Sequence, residues 1–209
     1  MTGSKIVALD EVDLAKVAGG AFQQGTAGSD TLNGGSSADV IFAGGGNDMV
    51  TAGAGNDQVY GEGGSDYIKA GAGNDLAYGG LGNDTIDGGS GADQLMGEDG
   101  NDFLDGGAAD GAADLVFGGA GNDSFIWAPG DGNDRFDGGT GTDTLNVVGM
   151  SLQDLTTALN IESPGLEMRV NNNIVTFFDA SGAPASFAGT VTVGGETLKF
   201  SNVEQIRVG

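Results

Sequence analysis

The sequence predicts an all-β fold, built as a repetitive solenoid of short strands and followed by a compact β-rich region. Three observations lead to this prediction. Aspartate recurs about every nine residues between Asp30 and Asp143, a glycine-rich segment precedes each aspartate, and an apolar residue stands two positions after it. A fixed period of this kind indicates stacked, equivalent units rather than one globular core.

The repeat runs without interruption for nine frames, from Gly25 to Asp105. Its frames read GTAGSDTLN, GGSSADVIF, AGGGNDMVT, AGAGNDQVY, GEGGSDYIK, AGAGNDLAY, GGLGNDTID, GGSGADQLM and GEDGNDFLD. A twelve-residue frame follows (106–117), and then GGAGNDSFI, an irregular frame ending in GDGNDRFD, and GGTGTDTLN. The shared pattern is G-G-x-G-x-D-x-U-x, in which U is apolar.

This pattern resembles the nonapeptide of the RTX, or hemolysin-type, calcium-binding repeat proteins. The resemblance implies a parallel β-roll, a right-handed β-solenoid in which two frames complete one coil. It also implies that multiple Ca²⁺ ions are bound by the position-six aspartates and by carbonyl oxygens of the turns. We expect these carbonyls mainly at Gly46, Gly55, Gly73, Gly82 and Gly91.

Within each frame we expect six residues of turn, where glycine can take positive φ, and three residues of strand. Frames eighteen residues apart then stack about 4.8 Å apart, which arranges the aspartates in two columns. One column holds Asp30, Asp48, Asp66, Asp84 and Asp102, and the other holds Asp39, Asp57, Asp75 and Asp93. The series continues with Asp114, Asp123, Asp134 and Asp143.

Stacked carboxylates at this spacing repel by about 3 kcal/mol at an effective dielectric near 20, so an empty column opposes coiling. Calcium accepts about six to eight oxygens and reverses that repulsion. We therefore predict that metal binding and folding are one event. Three departures weaken sites near the two ends: Thr26 at position two, Ser37 at position four, and the insertion at residues 109–112.

Position eight of each frame is predicted to point into the roll. These residues are Leu32, Ile41, Val50, Val59, Ile68, Ala77, Ile86, Leu95, Leu104, Val116, Phe125, Phe136 and Leu145. Positions seven and nine point outward, and on one sheet they form an apolar face that includes Phe42, Tyr60, Tyr78 and Phe117. That face indicates self-association or a surface assembly, unless residues 1–20 or the C-terminal region fold back over it.

The amino-acid composition argues against several classes of function. The formal net charge of -23, with only seven Lys and Arg, disfavours nucleic acid and anionic lipid as partners. No apolar run is long enough for a membrane span. The chain has no His and no Cys, and it contains no G-x-S-x-G motif outside the repeats, so we predict that it is not an enzyme.

The N-terminal segment, residues 1–20, lacks the long apolar core of a secretory signal peptide. Leu9, Leu14, Val17 and the Gly19–Gly20 pair resemble a double-glycine leader. The resemblance implies cleavage after Gly20 and export by a peptidase-containing ABC transporter. The alternative is a short amphipathic helix that caps the first coil.

The period ends at Asn146, which divides the chain into a β-roll at 21–146 and a capping region at 147–209. In the capping region we predict one helix at 151–160. Strands are predicted at 166–170, 173–178, 187–193 and 196–201. Capping is expected because the open end of a solenoid exposes unpaired strands. The ending LKFSNVEQIRVG resembles RTX tails, which implies a type I secretion signal.

The function predicted from these features is that of a secreted bacterial calcium-binding β-roll protein. It would fold in extracellular Ca²⁺ and serve a structural, adhesive or self-assembling role at the cell surface or in a matrix. One alternative is a small exported effector or bacteriocin-like protein, which the leader suggests. Another is an ice-binding roll, but Lys69, Asp87 and Asp105 interrupt the outward rank of Thr and Asn that ice binding would need.

Overall fold

The structure is a computed structural model that describes residues 20–163 and 165–209. The predicted leader therefore lies outside the described residues, except for Gly20. The described residues form one short helix and twenty strands, which are arranged in two ten-stranded sheets. This architecture confirms the predicted all-β solenoid.

Fourteen strands form the roll. They are β1 (Phe22–Gln24), β2 (Thr31–Gly35), β3 (Val40–Gly45), β4 (Met49–Ala54), β5 (Gln58–Gly63), β6 (Tyr67–Ala72), β7 (Leu76–Leu81), β8 (Thr85–Ser90), β9 (Gln94–Asp99), β10 (Phe103–Asp105), β11 (Leu115–Ala120), β12 (Ser124–Trp127), β13 (Arg135–Thr140) and β14 (Thr144–Val147). Odd-numbered strands pair in parallel in one sheet, here called sheet A, and even-numbered strands pair in parallel in the other, sheet B. Val40 thus pairs with Gln58, eighteen residues later, so two frames complete one coil as predicted.

The strands are longer than the sequence predicted. Most of them cover positions seven to nine of one frame and positions one to three of the next, so that only positions four to six are left for the turn. The expectation of a six-residue turn was wrong, because Gly44 and Gly45 pair with Glu62 and Gly63 of the next coil despite a positive φ at Gly44. Pairing with a neighbouring coil decides this, and a single frame does not reveal it.

Glycine at position four is required by close stacking as well as by φ. Gly64 has a φ of 132°, and a Cβ placed on it would lie 1.8 Å from the carbonyl oxygen of Gly46 in the preceding coil. No side chain fits at that distance. The carbonyl of one turn is therefore aimed along the roll axis at the next turn.

The predicted inward positions form the core. Twelve of the thirteen are at most 1% exposed, while Leu32 is half-buried at the N-terminal end of the roll. A second inward rank at position one, with Ala43, Ala52 and Ala70 fully buried, was not predicted. It follows from the extra strand length, because alternate residues of a strand face the same side.

The twelve-residue frame is accommodated without a change of register. Strand β10 has only three residues, and residues 108–111 are exposed. Val116 then pairs with Leu95, so the separation between paired residues rises from eighteen to twenty-one for this coil. The insertion bulges outward, and the stack continues beyond it.

The C-terminal region contains the helix α1 and six strands. Their bounds are α1 (Leu152–Ala158), β15 (Leu159–Ile161), β16 (Glu167–Asn171), β17 (Ile174–Phe178), β18 (Phe187–Val193), β19 (Glu196–Val203) and β20 (Gln205–Val208). The helix and four of these strands match the predicted segments closely. The side chain of Ser151 caps the helix by accepting a hydrogen bond from the N–H of Asp154.

The capping region is continuous with the roll, which the end of the period at Asn146 did not predict. Strand β19 pairs in parallel with β13, and β20 pairs in parallel with β14, so the two strands form one more coil. Strands β18 and β15 then complete sheet A, and β17 and β16 complete sheet B, in antiparallel pairings. No helix in the described part of the chain is long and apolar enough to cross a membrane.

Candidate metal centre

The predicted aspartates form two columns, one along each row of turns. The backbone N–H of every aspartate except the last of each column donates to the Oδ1 of the aspartate one coil further on, at 2.7–2.9 Å. The first column consists of Asp30, Asp48, Asp66, Asp84, Asp102, Asp123 and Asp143. The second column consists of Asp39, Asp57, Asp75, Asp93, Asp114 and Asp134. Every predicted aspartate lies in one of the two.

Most of the column aspartates are buried with one carboxylate oxygen that has no protein partner. Twelve of the thirteen aspartates are buried, and the exception is Asp30. While Oδ1 accepts a hydrogen bond, Oδ2 is buried without a partner at nine positions. These are Asp48, Asp57, Asp66, Asp75, Asp84, Asp93, Asp102, Asp123 and Asp143. A buried carboxylate oxygen without a partner is costly, so repetition along both columns indicates that a cation completes these sites.

The electrostatics of the columns agree with this inference. Burial, together with a smaller contribution from neighbouring carboxylates, raises the pKa of Asp93 and of Asp114 to about 7. Burial likewise raises the pKa of Asp66, Asp84 and Asp102 to about 6. Negative charge in a metal-free column is therefore unfavourable near neutral pH, and a divalent cation would relieve the cost.

The turns offer further oxygen atoms. The carbonyls of the five predicted glycines, Gly46, Gly55, Gly73, Gly82 and Gly91, accept no hydrogen bond from any described residue. The carbonyls of Gly46 and Gly55 point toward Gly64 and Gly73 of the next coil. Among the described residues no three His, Cys, Asp or Glu side chains converge on one point. A site here would thus combine few carboxylates with backbone carbonyls, a donor set that suits Ca²⁺.

The N-terminal end of the roll differs from its middle. The backbone N–H and the Oγ1 of Thr26 donate to Oδ2 of Asp30, at 2.6 and 2.8 Å, and the N–H of Gly35 donates to Oδ2 of Asp39, at 2.6 Å. Protein groups thus occupy the oxygens that stay unpartnered further along. The insertion leaves Asp114 within its column, although a disturbance was expected there.

Several residues of these columns were missed by sequence reasoning. Glu204 closes the first column, because its Oε2 accepts the N–H of Asp143 at 2.7 Å. Position five was also missed. Its side chains form a second ladder between coils in the first column. These are Ser29, Asn47, Ser65, Asn83, Asn101 and Asn122. The signal was present, since Asn, Ser or Thr stands before every aspartate of the first column.

Comparison with known families bears on this arrangement. The model of the RTX calcium-binding nonapeptide repeat (4 copies) matches residues 24–59, 60–95, 78–111, 88–125 and 130–146, which together cover more than half of the chain. The chain belongs to the RTX calcium-binding nonapeptide repeat family. No curated protein matches this chain.

RTX nonapeptide repeats bind multiple Ca²⁺ ions. The chemistry of the two columns fits calcium, because the turns combine buried aspartate oxygens that have no partner with backbone carbonyls that accept no hydrogen bond. When bound, calcium supplies positive charge between stacked turns. The chain itself supplies the aspartates, the axial carbonyls and a core that holds the turns in register.

Proposed function

We propose that this RTX protein is exported unfolded and folds outside the cell as it binds calcium, where it has a structural or adhesive role. The observation that carries the proposal is the set of nine buried Oδ2 atoms without partners. They make the folded roll unfavourable without a cation, and they make it stable once cations fill the columns.

The net charge of the chain supports export in the unfolded state followed by folding outside the cell. A chain with a net charge of -23 repels itself at low calcium and stays extended, which suits passage through a type I or peptidase-containing ABC exporter. Extracellular calcium at millimolar concentration would then neutralise the columns and drive coiling. The fold would form only after export, on the extracellular side.

A calcium titration of the full chain tests this proposal, with circular dichroism and light scattering recorded on the same samples. We expect a transition from coil to β-structure at sub-millimolar to millimolar calcium, and its reversal by a chelator. Magnesium at equal ionic strength is the control and should be much less effective, because it demands a tighter octahedral shell. A metal-free chain that melts cooperatively as a folded roll would refute calcium-coupled folding.

We further propose that the folded protein self-associates through the apolar flank, defined here as the outward side chains at positions seven and nine of β3, β5, β7, β9 and β11. Phe42 stacks on Tyr60 with ring centroids 4.6 Å apart, and Tyr60 stacks on Tyr78 at 5.1 Å. The rings pack face to face, and their edges form a regular row on the outside of sheet A. Met96 and Phe117 continue this row.

The charge distribution favours a second copy of this chain as the partner. At positions seven and nine the apolar flank carries no charged side chain from Val40 to Phe117, whereas the same positions of sheet B include Lys69, Asp87 and Asp105. Glu62 and Glu98 are exposed at position two of β5 and β9, beside the flank. Two strongly acidic copies can therefore bring positions seven and nine together without opposing carboxylates at these positions. The described C-terminal strands extend the ends of both sheets, so they add length to the roll beyond the flank.

Substitution of the ring ladder tests the interface. Tyr60→Asp and Tyr78→Asp should keep calcium-loaded protein at a lower mass in light scattering than the unmodified chain. Tyr67→Asp is the matched control, because Tyr67 is 44% exposed on sheet B. If all three variants assemble alike, the flank is not the interface, and calcium-coupled folding is unaffected by that result.

A further inference from the structure

The position-five ladder runs without a gap along the first column. Each backbone N–H at position five donates to the side chain at position five of the preceding coil. The N–H groups of Asn47, Ser65 and Asn83 donate at 3.0–3.1 Å, and those of Asn101, Asn122 and Thr142 donate at 2.7–2.8 Å. All six junctions between the seven turns of this column are bridged.

The second column also has an aspartate at position six of each turn, but its position-five ladder is incomplete. The N–H of Asn74 donates to Asn56, and that of Ala92 donates to Asn74, both at 3.0 Å. Alanine replaces the acceptor at Ala38, Ala92 and Ala113. The three junctions that follow these alanines therefore lack the bridge, and only two of the five junctions in this column have it.

The ladder acts through the planar peptide on the position-four carbonyls, which are the predicted calcium ligands. A position-five N–H and the position-four C=O share one trans peptide unit, in which they point in opposite directions. An N–H held toward the preceding coil fixes the carbonyl toward the next coil. The carbonyl of Gly82 has this orientation, since a Cβ on Gly100 would lie only 1.6 Å from its oxygen. Asn83 provides the N–H of that peptide, and Ser65 accepts its hydrogen bond. The carbonyl of Gly55 has the same orientation where the ladder is interrupted, so the ladder adds a hydrogen bond that holds an orientation common to both columns.

We propose that the position-five side chains set calcium affinity, so that the first column binds Ca²⁺ more tightly than the second. This inference rests on the proposed calcium-coupled folding. Where the ladder is complete, each coil that folds around the ions also gains a hydrogen bond that holds the peptide of the position-four carbonyl. Where alanine interrupts the ladder, that hydrogen bond is missing from the folded, calcium-bound state, which weakens binding. The side chains at position five are positioning residues, and the aspartates and carbonyls remain the ligands.

Calorimetric calcium titration of the full chain tests this difference. The unmodified chain should show a stronger and a weaker class of sites. Asn83→Ala removes the acceptor for the N–H of Asn101 and should weaken one strong site roughly five-fold, the loss expected for one hydrogen bond. Asn83→Ser restores an acceptor of the kind that Ser65 already provides and should recover most of that loss.

A gain-of-affinity variant keeps the test independent of folding defects. Ala38→Asn supplies the missing acceptor for the N–H of Asn56, at an exposed position with regular eighteen-residue spacing, and should strengthen one weak site by a similar factor. Thr51→Ala, on the exposed face of β4, is the control for loss of one polar side chain. The β-content at saturating calcium should be equal in all variants, so that only binding changes.

Two results would overturn the inference: a single class of sites in the unmodified chain, or unchanged affinities in both Asn83→Ala and Ala38→Asn. A chain that takes up no calcium and gains no β-structure would instead refute the proposed function itself.

Discussion

Replacing one column aspartate by asparagine should separate the backbone role of that residue from its role toward calcium. In Asp84→Asn the Oδ1 can still accept the N–H of Asp66, which Asp84 accepts at 2.7 Å. The unpartnered and negatively charged Oδ2 is lost. Stacking of the coils is thereby retained, while a buried charge without a protein partner is removed.

The expected effects have opposite signs with and without calcium. Unit charges about 5 Å apart interact by about 3 kcal/mol at an effective dielectric near 20, so calcium affinity beside residue 84 should fall on the order of 10- to 100-fold. Without calcium the same change should stabilise the roll, because burial raises the pKa of Asp84 from 3.8 to about 6. Taken in full this is about 3 kcal/mol, and screening by solvent in the turn reduces it to about 1 kcal/mol.

The assay is a calcium titration followed by circular dichroism and calorimetry at pH 7.5. The matched control is Asp87→Asn, which removes the same charge from an outward position where Asp87 pairs with Lys69 at 2.8 Å. Asp84→Asn should require more calcium to fold and bind fewer ions, and Asp87→Asn should behave like the unmodified chain. If the two variants titrate identically, calcium is not held by the aspartate columns.

Three further predictions concern the metal-free chain, the turns and the strained positions. Nine column aspartates have folded-state pKa values raised to about 6 or 7. The metal-free roll is therefore most stable below about pH 4, and it loses that stability as the pH rises through 6 to 7. Circular dichroism in the presence of a chelator should show more β-structure at pH 4.5 than at pH 8, and equal spectra would contradict this. Gly100→Ala should destabilise the calcium-loaded roll by more than about 4 kcal/mol in urea unfolding, because its Cβ would collide with the Gly82 carbonyl, whereas Gly28→Ala has open space and should cost less than about 1 kcal/mol. Glu62→Gly should raise stability by roughly 0.5–1 kcal/mol in the same assay, since Glu62 holds a φ of 71° at a position that is otherwise mostly glycine, and a loss of stability would show that its side chain has a role of its own.

The repeat predicted the aspartate columns well, because each contact in them recurs at a nearly constant spacing. Asp48 and Asp66 are eighteen residues apart in the sequence and one coil apart in the structure, so their place in one column follows from the period. The inward position eight follows in the same way from alternation along a strand. The aspartate columns and most of the core could therefore be predicted without coordinates.

Other features depend on pairings that no single frame shows. The extension of most strands to position three, and with it the burial of Ala43 and Ala52, depends on hydrogen bonds to the next coil. The hydrogen bonds of the position-five ladder likewise join different coils. A pattern read along the chain marks these residues as turn, because their partners lie a whole coil away.

The sequence by itself determined the family, the calcium chemistry and the alternation of two sheets, since a nine-residue period with one aspartate per frame has few other solutions. Only the tertiary structure decided how the roll ends and how it tolerates irregularity. The contact of Glu204 with Asp143 spans 61 residues, and the twelve-residue frame keeps its column because its extra residues bulge outward while Asp114 stays paired. Such contacts lie outside the period, and the three-dimensional packing of the coils determines them.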